Sequence, residues 1–488
     1  MNEVLNTLEP KVIWQYFAEI LMIPRPSKKE DKILAYLIDF AKKHQLEYQQ
    51  DKVGNVLIKA PASPGYENRK TVILQSHVDM VCEKNSDTIH DFEKDPIEVF
   101  VEDGWVKAKG TTLGADDGIG VAAQLALLAD ESVQRGAIEC LFTVDEETGL
   151  TGAFGLEPDF LDGKILLNLD SEDEGELFIG CAGGKDTVIT LPYTTEEAGK
   201  DAVFYRIDVK GLKGGHSGDD IHKGLGNANK LLTRIVWKAA KDFGLRLAYF
   251  EGGNLRNAIA REAYAIVAVD KQAAKTLQEF VAKSADEMIY EYAVTEPRLQ
   301  ITIDVVKVDS NLVLKVEDQN KLLNSLYACP HGVMAWSQRI PNFVETSTNL
   351  AAVRMEDGRT VITTSQRSSV ESAKEDIAQM VAACFNLAGA EVNHSNGYPG
   401  WAPNPNSEIR AITVKAYQDL FAQEPDVKAI HAGLECGLIG DKYPGMDMIS
   451  YGPTIKGAHS PDERIQIETV MKFWNLTLEI LKRIPEKH

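Results

Sequence analysis

Cysteine is scarce: six in 488 residues (Cys82, Cys140, Cys181, Cys329, Cys384 and Cys436), scattered and without a CxxC pair. That excludes a disulfide framework and a thiolate metal cluster, and the apolar context of several of them reads as buried thiols in a reducing cytoplasm. Positive charge is also in deficit. Lys and Arg number 52 against 73 Asp and Glu, a formal charge of -21, so a phosphate backbone would be repelled and no nucleic-acid partner is expected. No stretch is long and apolar enough to span a bilayer. The N-terminal residues lack the basic-then-apolar order of a secretion signal, since Gln15 and Glu19 interrupt Val12 to Ile23 in a helical rhythm. A cytoplasmic chain with no membrane partner is the expectation.

What is present is ordinary globular composition, 44% hydrophobic and 26% charged, in a chain long enough for more than one core. The texture changes twice along it. Residues 1–185 and 399–488 read as α/β, with short apolar runs of the kind that form buried strands alternating with amphipathic helices. Residues 186–398 read as α+β, a sheet covered by helices, and Gly397 to Pro403 looks like the linker that leads out of it. The expected architecture is therefore an α/β catalytic domain, with a mixed, mostly parallel sheet between helices, carrying an inserted α+β domain.

Within the first part, Pro10 to Met22 and Lys28 to His44 read as helices, the second opened by Ser27 and Glu30 at capping-box spacing. Gly54-Asn55 turns a hairpin. Three apolar runs then end in polar residues: Val72-Ile73-Leu74 leads to His77-Val78-Asp79, Ile138 to Val144 leads to Glu146-Glu147, and Ile165 to Leu169 leads to Asp170. A fourth run, Met446 to Tyr451, leads to His459. Ligands bind outside the carboxyl ends of the strands in such sheets, so these groups are expected on one edge.

Between them lies Gly110-Thr111-Thr112-Leu113-Gly114-Ala115-Asp116-Asp117-Gly118-Ile119-Gly120, which opens an alanine-rich helix. Asp116 can be a helix N-cap or a carboxylate bridging two metal ions. The other groups decide the preference. His77, Asp116, Glu147, Asp170 and His459 form a nitrogen-and-oxygen donor set without thiolate, suited to two zinc ions, with cobalt or manganese as alternatives. Asp79, two residues beyond His77 on the same side of an extended chain, is placed to accept its second ring proton. Glu146, pointing away from Glu147, is the candidate general base.

These residues, in this order, resemble the co-catalytic zinc exopeptidases of the aminoacylase, carnosinase and peptidase T group, and within it the bacterial aminoacyl-histidine dipeptidases. Ser76 to Met80, Thr111 to Gly120, Asp145 to Gly149, Leu169 to Glu172, Gly211 to Gly218, His431 to Gly437 and Gly452 to Pro461 carry the resemblance. It implies that His77, Asp116 and Asp170 bind one zinc while Asp116, Glu147 and His459 bind the other, with Glu146 as base. It also implies that the inserted domain is a lid that closes on substrate and mediates a homodimer. One departure is local: many relatives have Asp-Lys-Gly after the bridging aspartate, whereas Asp117-Gly118 follows here, and Asp117 has no assigned role.

In relatives, the lid histidine of a segment like Gly214-Gly215-His216-Ser217-Gly218 stabilises the tetrahedral oxyanion, which assigns that role to His216. A dipeptide substrate also brings a free carboxylate and a free amine. Arg367 can fork onto the first, Glu435 can meet the second, and Asn257 is a further lid contact. The expected activity is hydrolysis of dipeptides, Xaa-His dipeptides foremost. The alternatives are an N-acyl amino acid hydrolase or broader aminopeptidase on the same scaffold, or a metal-dependent binding protein without catalysis.

Overall fold

Four apolar runs of the two α/β segments become neighbouring strands. In a computed structural model, which describes residues 3–487, the strands Ile138–Thr143, Val72–His77, Ile165–Asn168 and Asp447–Ser450 lie side by side and parallel. Every residue of the first two is buried, as expected for strands covered on both faces. They form the centre of a mixed, eight-stranded sheet whose flanks include the antiparallel hairpin Glu47–Gln50 with Val56–Ala60. Because the central strands are parallel, their carboxyl ends share one edge, and the chain leaves each toward a candidate ligand.

The chain divides into two compact units. The first comprises Met1–Gly180, Pro403–Ala429 and Leu434–His488; the second comprises Cys181–Ala402 and Ile430–Gly433. The sequence reading set the boundaries at 185/186 and 398/399. The strand Gly183–Pro192 pairs along its whole length with Arg359–Ser368, and Tyr398 and Trp401 bond back to Gly184 and Cys181. These pairings draw the entry and exit segments into the second unit.

In the first unit, the helix Ala115–Ala129 is almost wholly buried and packs against the helix Lys11–Leu21, which offers Ile13, Trp14, Phe17 and Ile20 at helical spacing. A four-stranded sheet joins Ile455–Lys456, Arg464–Gln466, Trp105–Ala108 and Val99–Glu102. Its pairing of Arg464 with Lys107 sets the 457–463 loop near the chain that runs on to Asp116. One local expectation fails: the helix after Ser27 begins at Asp31, without a capping box. Ser27 gives its hydroxyl to Asp79 instead (2.8 Å), and Glu30 accepts from the backbone of Lys28 and Asp145.

The second unit is a nine-stranded antiparallel sheet with helices packed on it. The helix Ala228–Phe243 is representative. Asn227 caps its first turn, Gly244 ends it with a positive φ of 66°, and Leu231, Leu232, Ile235, Val236 and Ala239 fill one buried face. Opposite them, Tyr205, Ile207 and Val209 alternate along Ala202–Lys210 into the same core.

Candidate active site

The loop before the long helix treats its two carboxylates differently. Asp116 and Asp117 have non-helical backbone angles, and the peptide bond between them is cis. Asp117 carries the capping bond, its Oδ1 accepting from the Gly120 amide at 3.2 Å. Asp116 is left to face the strand ends. His77 Nε2 lies 3.1 Å from Asp116 Oδ1 and 3.4 Å from Asp170 Oδ1. His459 Nε2 lies 3.2 Å from Asp116 Oδ2 and 3.0 Å from Glu147 Oε2. Two ligand groups result, His77–Asp116–Asp170 and Asp116–Glu147–His459, each with its donor atoms within 4.8 Å of one another. Asp116 belongs to both and gives each a different oxygen.

The electrostatics describe a centre that calls for cations. Burial drives Asp170 up to about 8, and nearby Glu172 likewise. Hydrogen bonds donated to Asp116 and Glu147 pull His459 up to about 11, while desolvation of His77 is outweighed by Asp170 and Asp116. Protons and imidazolium charge thus carry the positive charge that crowded carboxylates need. Glu147 Oε1 is buried with no hydrogen-bond partner, which fits a metal-ligand oxygen better than a structural one. The residues present fit a pair of divalent ions.

Around the ligands, Asp79 is fully buried. Its Oδ1 is 3.4 Å from His77 Nδ1, and its two oxygens accept from the amides of Glu146 (3.0 Å) and Glu147 (3.3 Å). The Asp79 backbone carbonyl is closer still to His77 Nδ1, at 3.2 Å, so this residue orients the histidine through carbonyl and carboxylate together while its carboxylate holds the turn that presents two glutamates. Glu146 lies within the reach of His77 and Glu147, and burial, followed by repulsion from Asp170 and Glu147, raises its carboxyl well above the ordinary range.

Glu435 is fully buried in the first unit, where its Oε2 accepts from Thr143 (2.8 Å) and Gln75 (2.5 Å). Its Oε1 has no partner, and burial lifts it to about 7.

The remaining candidates lie in the second unit. His216 and Asn257 line one cleft of about 590 Å³, and the Asn257 carbonyl accepts from the Ser217 amide at 2.8 Å. Arg367 is 8% exposed; its Nη1 donates to Tyr398 Oη at 3.0 Å and its Nε has no partner. His431, absent from the candidates drawn from sequence, is buried close to Arg367, with Nε2 2.7 Å from Ser347 Oγ. Arg25 and Glu463 were missed as well. Each is buried and contacts the backbone around the ligands. Arg25 sits between two prolines and Glu463 in a Ser-Pro-Asp-Glu-Arg stretch, both of which read as surface.

The chain is similar to known peptidases over nearly its whole length. The model of Peptidase family M20/M25/M40 matches residues 73–483. The cytosol non-specific dipeptidase of Escherichia coli (strain K12) is 45% identical over 483 residues, covering 99% of each chain. The crystal structure of aminoacylhistidine dipeptidase from Vibrio alginolyticus superposes with a TM-score of 0.93 at 45% identity, again over 99% of both chains. Aminopeptidase PepT from Bacillus cereus, 16% identical, shares the fold with a TM-score of 0.57 over 98% of this chain and 99% of its own.

Proposed function

The chain belongs to peptidase family M20/M25/M40, and we propose on that footing that it is a metal-dependent dipeptidase with a two-ion centre held by His77, Asp116, Glu147, Asp170 and His459. One observation carries the reading: Asp116 turns one oxygen to His77 and the other to His459, at 3.1 and 3.2 Å. The donor types suit zinc, with cobalt or manganese as alternatives. Divalent ions bound there would supply a Lewis acid and lower the pKa of a water.

The chain's own residues do the rest. His77 and Asp170 hold one side of Asp116, and His459 and Glu147 the other. Asp79 keeps His77 in one tautomer and orientation by facing Nδ1. Glu146 takes a proton from the attacking water on its carboxylate and returns it to the leaving amine. Its raised proton affinity supports that role. In the inserted unit, His216 stabilises the oxyanion, Arg367 receives the substrate carboxylate, and Asn257, beside His216, adds a contact. Glu435 with its unpartnered oxygen receives the amine.

Two relatives at 45% identity, a non-specific dipeptidase and an aminoacylhistidine dipeptidase, support the substrate class. Dipeptides are the substrates, with Xaa-His dipeptides favoured. The protein works in the cytoplasm, a reading supported by the name of the cytosol relative, and as a homodimer joined through the inserted unit. Rates on carnosine, other Xaa-His and Xaa-Xaa dipeptides, a tripeptide and an N-acetyl amino acid, with and without chelator, test the activity. Dipeptide cleavage that survives metal removal, or faster turnover of the N-acetyl amino acid, would overturn it. Sedimentation of the purified protein tests the dimer.

A further inference from the structure

We propose that Arg25 and Glu463, two buried side chains of opposite charge, are positioning residues that clamp the backbone of the Asp116 loop so that its carboxylate is shared between the two ligand groups. The proposal rests on the reading of Asp116 as the bridging ligand. Glu463 is 3% exposed and Arg25 1%. The carboxylate of Glu463 accepts four consecutive amides: Leu113 (2.6 Å) and Gly114 (2.9 Å) on Oε2, Ala115 (2.8 Å) and Asp116 (3.3 Å) on Oε1. That occupies the four acceptor positions of an ionised carboxylate. The guanidinium of Arg25 donates through Nη1 to the carbonyls of Val78 (2.9 Å) and Asp79 (2.8 Å), and through Nη2 to that of Gly114.

The two grips are complementary. Glu463 holds the donors of the loop and Arg25 holds an acceptor. Arg25 also ties the loop to the turn just after His77, and Glu463 follows His459 by four residues in the 457–463 loop. Two side chains therefore link the segments bearing His77, Asp116 and His459. Sequence separations of 347 to 350 residues between Glu463 and its partners make this a tertiary device.

The glycines of the motif are fitted to it. A Cβ on Gly114, whose φ is +69°, would come within 2.6 Å of Arg25 Nη2, and one on Gly118 would do the same. Burying two full charges against peptide groups is costly, and neutral caps suffice at most helix starts. Charge-assisted bonds are short and directional, which is what holding one carboxylate between two groups about 3 Å away requires.

The test uses Glu463→Gln and Arg25→Lys in the full chain. A glutamine offers one oxygen and turns N–H groups toward the amides of the other pair. A lysine keeps the charge but not the planar fork that spans three carbonyls. Both variants should bind zinc, measured by competition with a chromogenic chelator, roughly 10–100-fold more weakly than the parent. Their kcat should fall at unchanged KM and recover in part with excess zinc.

A merely structural role would lower the melting temperature of the metal-free protein and leave zinc affinity alone. Parental zinc affinity in either folded variant overturns the clamp. Hydrogen exchange in the parent gives an independent measure should a variant fail to fold. The amides of residues 113–116 should be among the slowest of the metal-free protein, and fast exchange there also overturns it. Asp116→Ala separates the two ideas. If that variant keeps both metals, the bridging reading fails. If it loses them while Glu463→Gln and Arg25→Lys bind as the parent does, only the clamp fails.

Discussion

Glu146→Gln is the sharpest probe of the chemistry, because it removes a proton-carrying oxygen and little else. The Glu146 amide donates to Asp79 Oδ1 at 3.0 Å irrespective of the side chain, so the turn that presents Glu147 stays in place. Glutamine has the same shape but cannot accept and release a proton at any working pH. A positioned general base contributes about 10²–10⁴ in rate, or roughly 2.7–5.4 kcal/mol of barrier. The expected result is a kcat lower by that factor with KM little changed, since proton transfer acts in the transition state. Glu146 also lies within a donor group with His77 and Glu147, so metal content must be measured alongside. Steady-state rates on a Xaa-His dipeptide, with elemental analysis of the same preparations, make the assay. A kcat within tenfold of the parent at parental metal content would refute the assignment.

Other perturbations read different parts of the structure. Dialysis against a chelator should abolish dipeptide hydrolysis and lower the melting temperature, with both restored by added zinc. At a hundredfold excess over Kd each ion adds about 2.7 kcal/mol, and an unchanged melting temperature would count against a site of this depth. Gly114→Ala forces a Cβ into a left-handed position 2.6 Å from Arg25 Nη2 and 2.9 Å from Met80 Sδ. A loss of about 2–4 kcal/mol in urea melts of the metal-free protein is expected. Arg367→Met should raise KM for dipeptides roughly 10–100-fold at nearly constant kcat, the worth of a charge-assisted hydrogen bond. A kcat effect alone would remove it from the substrate carboxylate.

His431 gives a test of pH dependence. Burial, reinforced by Arg367, holds its imidazole down at about 3. The unfolded chain takes a proton near the ordinary value of 6.5 that the folded chain refuses, so this stability is present above that pH and is lost as pH falls toward 3. Between pH 7.5 and 5 the loss is about 2 kcal/mol. Urea melts of metal-free His431→Gln should be flatter than the parent by that amount over the same window, and parallel slopes would refute it.

Much of the site could be read from local pattern. Val72 to Leu74, Ile138 to Val144, Ile165 to Leu169 and Met446 to Tyr451 are apolar enough to be buried strands, and His77, Glu146, Glu147, Asp170 and His459 follow them. Parallel neighbours share an edge, so strand ends become one site without further information. The helix Glu408–Phe421 obeys an equally local rule, its capping Ser407 hydroxyl accepting from the Arg410 amide at 3.0 Å. Ser27 misled, because a cap signal is a local rule and Asp79, 52 residues away, took the hydroxyl.

The sequence alone specified which donor atoms the chain has, and which lie at strand ends, because apolar runs and turn residues act over a few neighbours. Tertiary structure decided how they are shared. Asp117 takes the helix cap and frees Asp116, whose two oxygens divide between His77 and His459. Arg25 and Glu463 reach that loop through backbone amides and carbonyls. Every residue carries those groups, so nothing in the side-chain pattern announces which of them a distant charge will hold.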